Sequence, residues 1–206
     1  MPSRPRPLPK GFIRPCLPVT APIPPSGEQW WHEIKHDGLR MIARKDGATI
    51  RLYGRAGNDL TQRFPLIVDA LASLSSNSCI LDGEAVAWGD DGAPSYDRLR
   101  HRRNDASVFL YAFDLIEVNG NDMRASPLQQ RKATLAKIIS RAEQGIQFNE
   151  HTEEDGPVVL EDVRKLGLEG IVSKRKGSRY VSGRSESWVK CKNRASAAVR
   201  REAEEE

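Results

Sequence analysis

The chain has 206 residues, of which 38% are hydrophobic and 29% are charged, with a formal net charge of +4. This length suits one domain, and the lack of any run of about 18 apolar residues excludes a membrane-spanning helix. Three distant cysteines, Cys16, Cys79 and Cys191, form neither a disulfide framework nor a paired metal knuckle. We therefore expect a reducing, cytoplasmic setting.

The chain opens with a segment rich in proline, since the first 25 residues hold nine of the 13 prolines. Interior prolines remove a helix donor and clash with the preceding turn, so this segment is not a helix. We predict an extended basic arm over 1–27, one globular domain over 28–194 and a short charged tail over 195–206. The arm is either a solvated leader or a segment that touches nucleic acid. Its cations are Arg4, Arg6, Lys10 and Arg14.

The body alternates short strands with a few helices. Strands are predicted over 30–35, 39–44, 48–53, 79–88, 107–118, 169–176 and 187–193, and "KDGA" between the second and third predicts a hairpin. Helical spacing of apolar residues predicts helices over 63–74, 126–145 and 157–168. Ser126 suits the N-cap of the second helix, Pro127 its first position and Gly145 its end. Because βαβ units do not recur, the pattern predicts an α+β fold with mainly antiparallel sheets flanked by helices.

Basic residues concentrate in two places. The range 171–194 holds eight lysines and arginines against one acid, Glu186, with Tyr180 and Trp188 interleaved. A second cluster, "DRLRHRRND", begins at Asp97. Either run could be a solvated face. The aromatic residues and the strand-like context favour a groove that binds phosphates.

The stretch "WWHEIKHDGLR" places Lys35 between two acids, Glu33 and Asp37, and ahead of Gly38. A lysine is a poor nucleophile at neutral pH because it is protonated, and neighbouring cations or desolvation correct this by lowering its pKa. Alternation along "WVKCK" puts two lysines, Lys190 and Lys192, on one face of a strand. Such a pair suits a polyphosphate and destabilises a third ammonium nearby.

Two glutamates lie in apolar strand context, Glu84 in "LDGEAVAW" and Glu169 in "LEGIVSK". Their carboxylates are hard oxygen ligands of the kind that Mg²⁺ or Mn²⁺ takes. A lone strand glutamate is more often an exposed residue, so each position alone is weak support.

Six segments taken in order resemble the motifs of one family. They are "KHDG", "LYGRAGNDLTQRFP", "LDGEAV", "YAFDLIEVNG", "EGIVSKRKGSRY" and "SWVKCKN". Together they resemble the covalent nucleotidyltransferases, and within them the ATP-dependent DNA ligases. The residues of these segments are most similar to those of the bacterial end-joining ligases.

The resemblance implies a role for each matching residue. Lys35 would attack the α-phosphate of ATP and carry AMP, while Asp37 and Gly38 shape the turn. Glu33 would hold adenine and Phe113 would stack on it, although Phe113 also suits plain core. The remaining implied contacts are Glu84 to the ribose hydroxyls, Glu84 and Glu169 to Mg²⁺ or Mn²⁺, Arg40 and Arg55 to the ribose or the 5′-phosphate of a nick, and Lys190, Lys192 and Lys174 to phosphates.

The resemblance also implies a fold, a reaction and partners. We expect the nucleotidyltransferase (adenylation) domain of a ligase that takes AMP from ATP and seals nicked double-stranded DNA in repair or recombination, in the bacterial cytoplasm at the nucleoid. Only 13 residues follow Asn193, too few for the five-stranded oligonucleotide-binding (OB) barrel with which such ligases continue. We therefore expect no C-terminal OB barrel, and an end-joining or OB-type partner protein. The alternatives are an RNA ligase, a capping guanylyltransferase and a non-catalytic nucleic-acid-binding subunit of the same fold.

Overall fold

The computed structural model describes residues 11–90, 92, 94–142 and 144–205. The predicted arm residues Arg4, Arg6 and Lys10 lie outside this range. Within it, no helix has both the length and the apolar character needed to cross a bilayer.

The described chain contains strands, helices and two short 3₁₀ turns. The strands are β1 (Cys16–Thr20), β2 (Trp30–Ile34), β3 (Leu39–Asp46), β4 (Thr49–Gly54), β5 (Ser78–Val86), β6 (Phe109–Val118), β7 (Asn121–Asp122), β8 (Ile146–Phe148), β9 (His151–Thr152), β10 (Gly170–Arg175) and β11 (Gly183–Lys192). The helices are α1 (Pro65–Ser73), α2 (Tyr96–Arg100), α3 (Leu128–Ile139), α4 (Gly156–Lys165) and α5 (Ala197–Glu205).

The strands form two sheets. The first has the order β1-β11-β10-β2-β9, and the second has the order β4-β3-β5-β6-β7 with β8 paired to β6. The predicted hairpin is present, with Asp46 opposite Thr49 between β3 and β4. All pairings are antiparallel except β1 with β11 and β6 with β8. The predicted α+β class with mainly antiparallel sheets is confirmed.

The proline-rich segment is extended, but from residue 11 it packs against the body. β1 lies at the edge of the first sheet, where Pro18 is tolerated because an edge strand has one unpaired side. Ile13 and Cys16 are buried. The predicted boundary at residue 27 therefore lies within the folded body, and the residues from 11 onward are not a solvated leader.

The core has three parts. The largest lies between the second sheet and the helices α1 and α3, and includes Leu52, Leu71 and Leu135. A second part lies where the sheets face each other and includes Phe113 and Trp188. The third packs α4 against the first sheet. The sheets therefore meet over an apolar seam, and the cleft described below opens beside it.

The helix α3 is shorter than predicted. It begins at Leu128 with Pro127 at the N-cap and ends at Ile139, so the predictions of Ser126 as N-cap and Gly145 as the stop are wrong. The carbonyl of Ser126 accepts a hydrogen bond from Arg131 Nη1 at 2.6 Å, which holds that residue outside the helix. Past Ile139, the hydroxyl of Ser140 donates to the carbonyl of Lys137 at 2.9 Å. Such side-chain bonds compete with continued helix.

Candidate active site

A cleft of about 580 Å³ opens between the two sheets, and the loop 35–38 after β2 lines it. The loop is held at both ends. The amide of Lys35 donates to the Gly170 carbonyl at 2.9 Å. At Gly38, an added Cβ would clash with the carbonyl oxygen of Ala85 on β5. Glycine is the residue that allows this close approach of two backbones, which explains the glycine after Asp37.

Lys35 faces a carboxylate across the cleft. Its Nζ donates to Oε1 of Glu169, and the two side chains are 22% and 3% exposed. Glu169 precedes β10, and its carbonyl accepts from the amide of Asn193 at 2.7 Å. The ion pair holds the lysine side chain in place and puts a base in hydrogen-bond contact with it, which is the geometry that proton removal requires.

Glu84, on β5, is the second carboxylate of the cleft. Burial raises its pKa to about 7; the charges of Arg40 and Lys35 lower it, while Glu169 and Asp82 raise it further. The two glutamates thus share one electrostatic environment and offer the hard oxygens that Mg²⁺ or Mn²⁺ prefers. No cluster of three or more His, Cys, Asp or Glu side chains suited to a metal occurs in the described ranges.

Glu33 is buried among cations. Lys132 Nζ donates to its Oε1 at 2.8 Å, and Lys174 Nζ donates to its Oε2 at 2.6 Å. The amide of Asn149 also donates to Oε2, at 3.1 Å. Burial alone would raise the pKa of Glu33, but the two ammonium groups lower it below its ordinary value. Glu33 lines the cleft, and its carboxylate also anchors this buried network; its contact with adenine stays a prediction.

Lys132 and Asn149 were not predicted as site residues. A signal for Lys132 was present, because the buried face of α3 consists of Leu128, Arg131, Lys132, Leu135 and Ile139. These positions follow the helical repeat, so two cations lie where the pattern demands apolar residues. Each cation has a buried acid: Arg131 forms two hydrogen bonds with Asp114, at 2.7 and 2.9 Å. A charge in an apolar stripe indicates a buried partner.

Arg40 lines the cleft, but its guanidinium is engaged with the protein. It donates to both oxygens of Asp82 at 2.6 and 2.7 Å and to the Cys16 carbonyl at 2.8 Å. Tyr180 donates to the same carboxylate at 2.6 Å. This network ties β1, β3 and β5 together beneath the cleft. The role of Arg40 at the ribose or the 5′-phosphate stays a prediction.

Part of the cleft wall is aromatic and buried; it is formed by Phe113 and Trp188 and is called the closed end below. Phe113 and Trp188 contact each other edge to face, with ring centroids 5.9 Å apart. Lys174 Nζ lies 4.2 Å from the centroid of Phe113 and 4.1 Å from that of Trp188, a cation–π geometry. Burial lowers the pKa of Lys174 to about 8, and Glu33 acts in the opposite direction. Phe113 belongs to the core and also lines the cleft; its stacking on adenine stays a prediction.

Two more of the predicted cations, Arg55 and Lys190, line the cleft. Arg55 is exposed in the turn after β4, and Lys190 reaches the cleft from β11. Lys192, two residues further along the same face, lies beyond the cleft wall. The structure therefore brings Glu33, Lys35, Arg40, Arg55, Glu84, Phe113, Glu169, Lys174 and Lys190 to one cleft and leaves Lys192 beside it.

Two facing sheets around a cleft that holds the Lys35–Glu169 ion pair, further carboxylates and further cations define a nucleotidyltransferase domain. A family model described as "ATP dependent DNA ligase domain" matches residues 22–192. The chain belongs to this family of ATP-dependent DNA ligase domains.

Individual relatives agree with this assignment. The chain is 36% identical over 190 residues to the multifunctional non-homologous end joining protein LigD of Pseudomonas aeruginosa, covering 90% of this chain and 22% of that protein. It is 29% identical over 187 residues to the prophage-derived DNA ligase-like protein LigB of Bacillus subtilis, covering 88% of this chain and 68% of that one. A solved structure of mycobacterial DNA ligase D with ATP and MES superposes with a TM-score of 0.77 at 31% identity, covering 87% of this chain and 60% of that chain. The chain thus spans about a fifth of the Pseudomonas relative.

Proposed function

We propose that this domain adenylates Lys35 with ATP and passes the AMP to a DNA 5′-phosphate, as the catalytic module of a ligase that seals nicks. The observation that carries the proposal is the contact between Lys35 and Glu169 inside a cleft walled by both sheets. An amine next to a base, with further cations nearby, is what nucleotidyl transfer to nitrogen requires. The LigD relatives are named for non-homologous end joining, so we extend the proposal to DNA repair and recombination.

The first step forms one bond and breaks one. Lys35 gives a proton to Glu169, and the neutral amine attacks the α-phosphorus of ATP. A P–N bond forms while the bond from the α-phosphorus to the bridging oxygen breaks, pyrophosphate leaves with that electron pair, and the nitrogen gives its second proton to solvent. An oxygen of the DNA 5′-phosphate then displaces Lys35 from AMP. Finally the 3′-hydroxyl loses its proton, attacks the 5′-phosphorus and displaces AMP.

The base of ATP would occupy the closed end of the cleft, with Phe113 against its face and Glu33 at its edge. The aromatic wall and the burial of both residues support this placement. Glu84 and Arg40 would meet the ribose. Arg55, Lys190 and Lys192 would meet the phosphates, where positive charge stabilises the charge that develops as the bond breaks.

Glu84 and Glu169 are the residues that would hold Mg²⁺ or Mn²⁺, since both are carboxylates of one cleft. When bound, such an ion supplies positive charge to the phosphate oxygens. The protein's own part is to keep both carboxylates beside Lys35 and to exclude water from the closed end.

DNA would be bound through its phosphates by the basic clusters. Arg100 is exposed at the end of α2 and Arg103 on the loop that follows it. Arg179 is exposed on the loop between β10 and β11, and Arg184 at the start of β11. Lys174, in contrast, is committed to Glu33. Because phosphate contacts release counterions, we expect the logarithm of affinity to fall with that of salt at about −0.9 per contacted phosphate. A nicked duplex is the proposed substrate, with an end-joining or OB-type protein as partner at the bacterial nucleoid.

The test is the intact mass of the full chain after incubation with ATP and Mg²⁺ or Mn²⁺. We expect one AMP on the wild type, none on Lys35→Ala, and full labelling of Lys137→Ala, an exposed lysine on α3. An adduct on Lys35→Ala would refute the assignment of the nucleophile.

The same assay separates the alternatives. Labelling by GTP in preference to ATP would favour the capping reaction, and sealing of nicked RNA in preference to nicked DNA would favour an RNA ligase. A folded wild-type chain that takes no nucleotide at all would favour the non-catalytic subunit.

A further inference from the structure

The C-terminal helix α5 folds back onto the cleft. It is anchored at its start, where the hydroxyl of Ser196 accepts from the amide of Val199 at 3.3 Å. Ala198 is buried against the body. Asn193 fixes the approach to the helix, because its side chain donates to the Leu168 carbonyl at 2.9 Å. Within the region predicted as a short charged tail, a helix therefore holds Arg201 at a defined place.

Arg201 reaches the loop of the nucleophile. Its Nη2 donates to Oδ1 of Asp37 at 2.6 Å, two residues beyond Lys35 in sequence. The guanidinium carbon lies 4.4 Å from the ring centroid of Tyr96. The arginine is thus held along one edge by a carboxylate and over one face by an aromatic ring. An arginine fixed in this way loses less conformational entropy when it binds an oxyanion.

Arg201 lines the same cleft as Lys35, and unlike the buried Phe113 and Trp188 it stands on a partly exposed part of the wall. Its side chain is 22% exposed, so solvent and ligands reach it. Among described residues, Asp37 is its hydrogen-bond partner, and a guanidinium has five N–H donors in a rigid fork. Donors therefore remain for a ligand without breaking the contact with Asp37.

Different parts of the cleft wall suit different parts of ATP. An aromatic base suits the closed end at Phe113 and Trp188, and the α-phosphate must lie at Lys35. The β- and γ-phosphates would then extend from Lys35 away from the base, and Arg201, which contacts Asp37 two residues beyond Lys35, is a cation of the same cleft. The guanidinium fork is the side chain best suited to bind a phosphate through paired hydrogen bonds.

We propose that Arg201 binds the β- and γ-phosphates of ATP while Lys35 is adenylated and stabilises the pyrophosphate that leaves. This inference rests on the proposed adenylation of Lys35. Arg201 forms no covalent bond: it donates N–H groups to oxygens that gain negative charge as the bond to the α-phosphorus breaks. Asp37 and Tyr96 act as positioning residues that hold the guanidinium ready.

The inference makes Arg201 specific to one step. Pyrophosphate takes part in adenylation of Lys35 and in its reversal, but not in the sealing of a nick that already carries AMP. Arg201→Ala should slow lysyl-AMP formation from ATP by about 100- to 1,000-fold, the range for losing one charge-stabilising donor. Arg201→Ala should also slow the reverse reaction, in which added pyrophosphate removes AMP from Lys35, to a similar degree. Sealing of a pre-adenylated nick should stay within about twofold of the wild type.

The experiment measures these three rates on the full chain, with melting temperature as a check on folding. Arg200→Ala is the matched control, since Arg200 is exposed on the same helix. Arg201→Lys keeps the charge without the fork and should be intermediate in the ATP reaction; it replaces Arg201→Ala if that variant does not fold. An equal loss in all three rates, or no loss in any, would overturn the inference. If the wild type itself takes no AMP, the proposed function fails and not this inference alone.

Discussion

Replacing Glu33 by glutamine should destabilise the domain strongly, because the carboxylate compensates two buried ammonium groups. Lys132 and Lys174 are 1% and 2% exposed at the side chain, and both donate to Glu33. A glutamine of the same size leaves them facing each other without a counter-charge. Removing one partner of a buried pair costs about 3–5 kcal/mol. For a domain of this size, that corresponds to a melting temperature lower by about 10 °C or more.

The loss of stability caused by Glu33→Gln should become smaller as the pH rises. Burial already lowers the pKa of Lys174 to about 8, and Glu33 limits that fall. Without Glu33 the pKa falls further, so the folded variant binds fewer protons than the folded wild type near pH 8. Stability rises with pH where the unfolded state binds more protons, and it rises more steeply for the variant. The gap between Glu33→Gln and wild type should therefore shrink between pH 7 and pH 9.5.

Urea unfolding followed by fluorescence at both pH values measures the gap. Glu186→Gln is the control, because Glu186 is exposed on β11. Its replacement should change the free energy of unfolding by less than about 0.5 kcal/mol. A Glu33→Gln variant with the wild-type midpoint at pH 7, or a gap that widens toward pH 9.5, would refute the reasoning.

Three further predictions concern other buried or paired groups. Glu169→Gln should reduce adenylation of Lys35 by about 100-fold or more, whereas Glu161→Gln, exposed on α4, should label like the wild type; equal labelling of the two would remove Glu169 from the site. Because burial raises the pKa of Glu84 to about 7 from 4.5, the unfolded state ionises first and the fold loses stability as pH rises from about 4.5 to 7. Glu84→Gln should thus have nearly the wild-type free energy of unfolding in urea at pH 5, and one about 2 kcal/mol above the wild type at pH 7.5. A gain in the free energy of unfolding that is independent of pH would contradict this. Lys45 Nζ donates to the carbonyls of Ala72 and Leu74 at the end of α1, so Lys45→Met should cost about 1–3 kcal/mol without affecting labelling of the folded fraction, and an unchanged urea midpoint would count against it.

Local patterns predicted much of the fold, because strands and helices here follow the periodicity of their own residues. The hairpin at Gly47 and the buried face of α1 are examples. β1 was not predicted as a strand, since Pro18 opposes a central strand and only the edge position of β1 in the sheet permits it. The end of α3 was misplaced because Ser140, and not Gly145, closes the helix.

The cleft residues were predictable to the extent that each lies in a short segment that resembles a motif of the ligase family. Lys35, Glu84 and Glu169 belong to such segments, and they share one cleft. The partners of Glu33 were not predictable in this way. Lys132 is 99 residues away and Asn149 is 116 residues away, and no spacing rule joins a helix position to a strand at that distance. Arg201 was missed for the same reason, since its contact with Asp37 spans 164 residues.

These long separations have a consequence for the order of folding. The contact from Lys35 to Glu169 closes a loop of 134 residues, and that from Glu33 to Lys174 closes one of 141. Contacts between distant parts of a chain are expensive to close and form late. On the ribosome, Lys35 leaves the exit tunnel long before Glu169 is synthesised. The nucleophile should therefore have no paired base until almost the whole domain has emerged, so that a nascent chain cannot consume ATP before it is able to fold.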